Sequence, residues 1–190
     1  MSTIPIAVYD ACVLYKSQLR NILIRIAATE IVNAKWTVEI QNEWLNKLLA
    51  NRPDLNKTRL NNTCAKMNTY VLDCLVTNYI QHIEKVILPD KDDRHVLAAA
   101  IQANANFIIT FNLRDFPNGV LAPYGITAIH PDTFLNSIAI GSTHLFCGLI
   151  KQLREDYIIP RVSAEKLLSS FEREGLRDTV ATLTTMKHLL

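Results

Sequence analysis

Leu88-Pro-Asp-Lys-Asp-Asp-Arg-His-Val-Leu-Ala-Ala-Ala-Ile-Gln-Ala-Asn-Ala-Asn-Phe-Ile-Ile-Thr-Phe-Asn-Leu-Arg-Asp-Phe-Pro117 sets Asp90, Asp92 and Asp93 ahead of an apolar helical pattern. A β-branched strand follows, then a polar loop carrying Asn112, Arg114 and Asp115. Carboxylates gathered at the end of a buried element are costly unless something binds them. A hard divalent cation, which prefers oxygen ligands, is the obvious candidate. Asp90 or Asp92 can cap a helix from about Asp93 to Asn104, and early acids suit its dipole. Phe107 to Thr110 reads as a buried parallel strand. Leu113 to Phe116 reads as a single turn, halted by Pro117-Asn-Gly119.

The segments outside this stretch supply the rest of an α/β pattern. Ile4 to Tyr9 is a short apolar run of β-formers that ends at Asp10, as expected of a central strand with both faces covered. Leu19, Ile22, Leu23 and Ile26 give Tyr15–Ala28 an amphipathic helical spacing. Thr37 is a plausible cap for a helix over Val38–Leu49, on which Glu39 and Glu43 share a face. Arg52-Pro-Asp54 breaks the chain, and Asp54 can cap a helix from about Leu55 to Leu75. Asn78–Val86 reads as loop with a short strand, Ile126–Ile129 as a last strand, and Pro131 as the start of a helix to about Ile138. This order predicts an α/β three-layer sandwich with a central parallel sheet and right-handed crossovers. Beyond Gly141 no strand pattern persists. Helices are expected over Ser142–Asp156, from Ser163 to Gly175 and from Leu176 to His188. The expected division is an α/β unit over 1–138 and an all-helical C-terminal extension over 139–190.

Composition narrows the class. The chain has 190 residues, 49% of them hydrophobic, with few glycines and prolines. That is enough apolar material for a sizeable core and argues for an ordered domain. A net charge of +2 is too small to name a partner. Met1 to Val8 lacks a basic region before its apolar run, so it reads as a first strand and not a leader. No apolar stretch approaches the roughly 18–20 residues that span a bilayer. Cys12, Cys64, Cys74 and Cys147 are scattered and form no C-x-x-C pair. They read as reduced thiols in a cytoplasmic protein without membrane contact.

Parallel strands share one C-terminal edge, which places Asp10 and Asp115 on the same rim. Helices run antiparallel to strands in a crossover, so the helix start at Asp93 lies there too. Glu43 arrives from a separate helix. Four acids thus come from four elements. No Ser–His–Asp or Cys–His arrangement competes, and His95, on an alanine-rich helix, fits packing or hydrogen bonding better than general base. The most basic segment runs from Lys47 to Lys66 and includes Lys57 and Arg59, with Asp54 its single acid. Either it is a solvated helix face or it contacts a phosphate backbone. Lys16, Arg20, Arg94 and Arg114 lie close in sequence to the acids, where they can hold a phosphate or balance the cluster.

Taken together, Ala7-Val-Tyr-Asp10-Ala-Cys-Val-Leu-Tyr15, Glu39-Ile-Gln-Asn-Glu43-Trp, the Leu88–Ile101 stretch and Ile109-Thr-Phe-Asn112-Leu-Arg-Asp115-Phe-Pro resemble a PIN domain. The match is nearest the VapC-like branch of bacterial toxin ribonucleases, over about residues 4 to 138. The resemblance implies a three-layer α/β/α PIN-like sandwich and a ribonuclease using Mg²⁺ or Mn²⁺. By motif position it makes Asp10, Glu43 and Asp93 the first three acids. The fourth position holds Asn112 where relatives carry an acid, so Asp115 is expected to supply the charge, with Asn112, Asp90 and Arg94 as auxiliaries. Cys12 stands where the family commonly has Asn.

For Lys16, Arg20, Arg114, Lys57 and Arg59 the implied role is RNA contact. The implied partners are RNA and a small antitoxin protein, with a homodimer as the common assembly. Two alternatives remain open. One is a catalytically weakened PIN-like scaffold that binds RNA or a protein; the other is a housekeeping RNA-processing nuclease. A haloacid-type hydrolase needs Asp-x-Asp and a receiver needs an acidic pair with a later Lys; neither pattern is present.

Overall fold

The computed structural model describes residues 4–190, so the first three residues of the expected Met1–Val8 strand lie outside the described residues. Four short strands form one fully parallel sheet: β1 (Ile6–Tyr9), β2 (Asn33–Lys35), β3 (Phe107–Ile109) and β4 (Thr127–Ile129), in the order β2-β1-β3-β4. Register pairs Ala7 with Ala34 on one side and with Phe107 on the other. β1 is therefore central, which explains why Ala7, Val8 and Tyr9 are all fully buried. The strands are followed by Asp10, Trp36, Thr110 and His130, and these four residues mark the C-terminal rim.

Helices cover both faces. They are α1 (Ala11–Tyr15), α2 (Ser17–Ala27), α3 (Val38–Asn51), α4 (Lys57–Tyr70), α5 (Ile80–Ile83), α6 (Arg94–Gln102), α7 (Asn118–Leu121) and α8 (Pro131–Gly141). α6 packs on β1 and β3. Its Ala98, Ala99 and Ala100 are fully buried, and small side chains there permit the close approach.

The extension consists of α9 (Thr143–Glu155), α10 (Ala164–Arg173) and α11 (Arg177–Thr185). Phe146, Ile150, Leu153, Leu167, Phe171 and Leu183 join the same buried cluster as Val8 and Leu23. The Asp132 carboxylate in α8 caps α11, accepting from the N–H groups of Asp178 and Thr179, both at 2.8 Å. No single described helix is long and apolar enough to cross a membrane. α8 and α9 together are apolar, but they are bent by 117° and their apolar faces are buried in the core.

Several expected boundaries move, each for a local reason. The helix expected over Tyr15–Ala28 is α2, and a further short helix, α1, precedes it across Lys16, whose backbone is extended (ψ 117°). The cap that starts α2 arrives from far along the chain: Glu174 accepts from Leu19 N–H at 2.7 Å and from Gln18 N–H at 3.3 Å. Asp54 does not cap α4. Its carboxylate pairs with Arg52, and Asn56 takes the cap, accepting from Arg59 N–H at 3.1 Å. α4 ends at Tyr70, short of Leu75, because Cys74 and Val76 exchange backbone hydrogen bonds with Trp36, both at 2.9 Å. The Asn78–Val86 segment holds the short helix α5 and no strand. β2, Asn33-Ala-Lys35, has no β-branched residue to announce it.

Candidate active site

The acids gather at the C-terminal rim of β1 and β3. Asp10 follows β1 directly and is only 2% exposed. Its Oδ2 accepts from Thr110 Oγ1 at 2.6 Å and from Cys12 Sγ at 3.0 Å. Both donors are themselves oriented by the loop after β3. Asn112 N–H donates to Thr110 Oγ1 at 2.9 Å, and Phe111 N–H donates to Cys12 Sγ at 3.3 Å. The Cys12 thiol thus does what an ordering residue at this position must do: it ties Asp10 to the opposite loop. Burial pushes the Asp10 carboxyl pKa up, the Thr110 and Cys12 bonds pull it back, and Glu43 pushes it up again; the net direction is upward. The same burial, with Asp10 beside it, pushes the Cys12 thiol pKa well above its ordinary value, so it is a hydrogen-bond donor and not a thiolate.

Asp93 precedes α6 and makes no side-chain cap bond, so its carboxylate is not committed to the helix. It is half-buried, and its pKa is pushed up to about 7. Burial is the largest cause, followed by the charges of Asp10, Asp90, Asp115 and Glu43. Mutual repulsion of this kind places the four sequence-predicted acids in one electrostatic neighbourhood. Asp10, Glu43 and Asn112 line a common cavity of about 130 Å³ with Cys12, Tyr15, Trp44 and Lys47. Asp115 sits in the turn beyond, its N–H donating to Asn112 O at 3.0 Å.

The donor set is all oxygen and strongly anionic, which fits Mg²⁺ or Mn²⁺. Among the described residues, however, no three acidic, His or Cys side chains are drawn together at ligating distance. Asp10 Oδ2 is held by Thr110 and Cys12, and Glu43 Oε2 lies 3.4 Å from His95 Nε2. The acids meet as a shared field and not as a closed cage.

The remaining predicted residues divide. Asp90 is exposed and accepts from Asp92 N–H at 2.9 Å, a local turn that leaves neither acid capping α6. Arg94 is partly buried with its Nε unpartnered. Arg114, Lys57 and Arg59 are exposed. Lys16 and Arg20 are not free surface cations. Lys16 Nζ donates to Glu174 O at 2.6 Å and lies 4.0 Å from the Phe111 ring centre. Arg20 donates to Leu14 O at 2.5 Å and stacks over Trp44.

A PIN domain family model matches residues 7–114, more than half of the chain. The chain belongs to the PIN domain family. A protein of Mycobacterium tuberculosis (strain ATCC 25618 / H37Rv) named "Putative ribonuclease VapC50" is 58% identical over 43 residues. That match covers 23% of this chain and 25% of the relative, so the chain matches about a quarter of that protein's length. No solved structure matches the chain significantly.

Within this PIN domain, three site residues escape sequence reasoning. Thr110 and Asp10 are 100 positions apart, so nothing local links them. His95 reads as a packing or hydrogen-bonding residue, but its neighbour Glu43, on a different helix, is not readable. Lys47 shares the cavity wall with Glu43, and its i, i+4 spacing on α3 was a usable signal.

Proposed function

We propose that this PIN domain protein is a Mg²⁺- or Mn²⁺-dependent endoribonuclease, the toxin of a toxin–antitoxin pair acting in the cytoplasm on RNA. A small antitoxin protein is its partner, and a homodimer its assembly. The reading rests chiefly on the meeting of Asp10, Glu43 and Asn112 around one cavity at the C-terminal rim of the sheet, with the charges of Asp93, Asp90 and Asp115 beside them. So much like charge at one rim destabilises the protein unless a cation balances it. The relative's name points the same way for that protein.

In this reading Asp10, Glu43, Asp93 and Asp115 hold the cation, with Asn112 offering a neutral oxygen. A divalent ion so held lowers the pKa of bound water and offsets charge developing on the phosphate. Thr110 and Cys12 favour the ionised form of Asp10 against its burial and aim its carboxylate. Lys47 on the cavity wall meets a phosphate oxygen, and the exposed Lys57 and Arg59 of α4 meet the RNA backbone.

A second reading, a PIN-like scaffold that binds RNA or protein without cleaving it, is favoured by one observation: no three donors are drawn to ligating distance. Cleavage of a mixed RNA substrate, with Mn²⁺ and with chelator, separates the two. The expected outcome is Mn²⁺-dependent cleavage that Asp10→Asn abolishes while the fold is retained. RNA binding without cleavage by the wild type favours the scaffold.

A further inference from the structure

We propose that His95 is the positioning residue of the candidate metal site, fixing the Glu43 carboxylate from α6 while Glu39, held by Tyr79, lies across the ring from Glu43. The inference rests on the metal-site reading above. His95 lies two residues after Asp93, in the first turn of α6. Every other residue from Val96 to Ala100 is a buried aliphatic. A polar ring in that company is costly unless its nitrogens find partners.

Both nitrogens face carboxylates. Nε2 lies 3.4 Å from Glu43 Oε2, whereas Nδ1, 3.8 Å from Glu39 Oε2, is buried without a hydrogen-bond partner. The two glutamates are one helical turn apart on α3, so one imidazole lies between both. The far end is anchored as well, because Tyr79 Oη donates to Glu39 Oε2 at 2.8 Å. The result is a chain, Tyr79–Glu39–His95–Glu43, leading from the α5 side of the molecule to the acidic cavity that Glu43 lines with Asp10.

This arrangement excludes a general-base role. The His95 side chain is only 9% exposed, and His95 is not among the residues that line the cavity. What it does is couple two acids that arrive from different helices. The start of α6 carries Asp93 itself, and through His95 it also holds Glu43. Outer partners of this kind orient ligands, and their loss typically weakens metal affinity about 10–100-fold. Glu43 is otherwise a half-exposed side chain, 48% accessible, with no other hydrogen bond or ion pair among the described residues.

The test measures Mn²⁺ affinity by isothermal titration calorimetry on the full chain, with circular dichroism to confirm folding. Wild type, Asp10→Asn, His95→Leu, His95→Gln, Glu39→Gln and Tyr79→Phe are compared. His95→Leu is expected to weaken Mn²⁺ binding at least about tenfold. His95→Gln, which keeps one donor for Glu43, falls between it and wild type. Glu39→Gln and Tyr79→Phe, one and two contacts further out, weaken binding progressively less. If His95→Leu fails to fold, the graded order of the other three variants carries the test. A folded His95→Leu variant, or the graded set, with wild-type Mn²⁺ affinity overturns the inference, even where melting temperature falls. Wild-type protein that binds no Mn²⁺ overturns the metal-site reading as well, and the Asp10→Asn control distinguishes that failure from this one.

Discussion

Thr110→Val isolates the hydroxyl on which the geometry of Asp10 depends. Thr110 is fully buried at the end of β3, and its Oγ1 both donates to Asp10 Oδ2 at 2.6 Å and accepts from Asn112 N–H at 2.9 Å. Valine keeps the β-branched shape, so little cavity is opened. It removes a hydrogen bond to a charged group, about 1.5–3 kcal/mol, and a backbone hydrogen bond whose exposed donor can turn to water, about 0.5–1 kcal/mol. The sum is about 3 kcal/mol, which for a chain of this size lowers the melting temperature by roughly 6–12 °C. Differential scanning calorimetry of the metal-free protein measures it. Thr110→Ser, which keeps the hydroxyl and loses one methyl, costs about 1 kcal/mol and roughly 2–4 °C. Because the Thr110 bond pulls the Asp10 pKa down, Thr110→Val also raises that pKa further and weakens Mn²⁺ binding. A Thr110→Val protein that melts no lower than Thr110→Ser refutes the account of how Asp10 is held.

Asp93 sets a pH dependence. Its folded pKa is about 7 against an ordinary value of 3.8, so the folded state binds the proton more tightly than the unfolded chain. Stability from this group is present at low pH and is lost as pH rises through about 7. Metal-free wild type is therefore expected to lose melting temperature relative to Asp93→Asn between pH 5 and pH 7.5, and a constant difference across that range counts against the shift. Asp115→Ala is expected to reduce Mn²⁺-dependent cleavage more than Asn112→Ala; the reverse order shows Asn112 to be the fourth ligand. Lys57→Glu with Arg59→Glu is expected to weaken RNA binding and to flatten the log–log salt slope by about 1–2. Unchanged binding across a salt series assigns α4 to a plain solvated face.

The legible parts of the molecule are those whose cause is local. β1 and β3 announce themselves because Ile-Ala-Val-Tyr and Phe-Ile-Ile are apolar runs suited to a strand covered on both faces. α6 does so through its alanines, and Asp10 and Asp93 through their places at element ends. What is not legible depends on partners distant in sequence. The break at Lys16 is enforced by Glu174, 155 positions beyond Leu19. The family membership is readable because four motifs agree in order and element type. The acids are readable as candidates because each follows or opens an element that ends at the same rim, and their charges act together on Asp93. Cys12 and His95 are noticed in the sequence, but their partners are not readable there, and neither is the Thr110 hydroxyl, because each bond spans elements distant in the chain.

Phe111 connects the extension to this site. Its N–H holds the Cys12 sulfur that in turn holds Asp10. Its ring is gripped from three sides. His130 meets it edge-on at 5.0 Å, Lys16 Nζ lies 4.0 Å from its centre, and the turn between α10 and α11 closes over it. At that turn Gly175 has φ +97°, which a side chain would strain, and a Cβ there would sit 3.5 Å from Phe111 Cε1. Glu174, the residue before it, caps α2 with its carboxylate and holds Lys16 with its carbonyl. One turn of the C-terminal helices therefore fixes the start of α2, the cation over Phe111 and the ring itself. A buried carboxylate such as Asp10 stays oriented only as well as the loop that supplies its donors. That loop is braced by residues beyond 170, so the extension supports the acidic rim as well as the core.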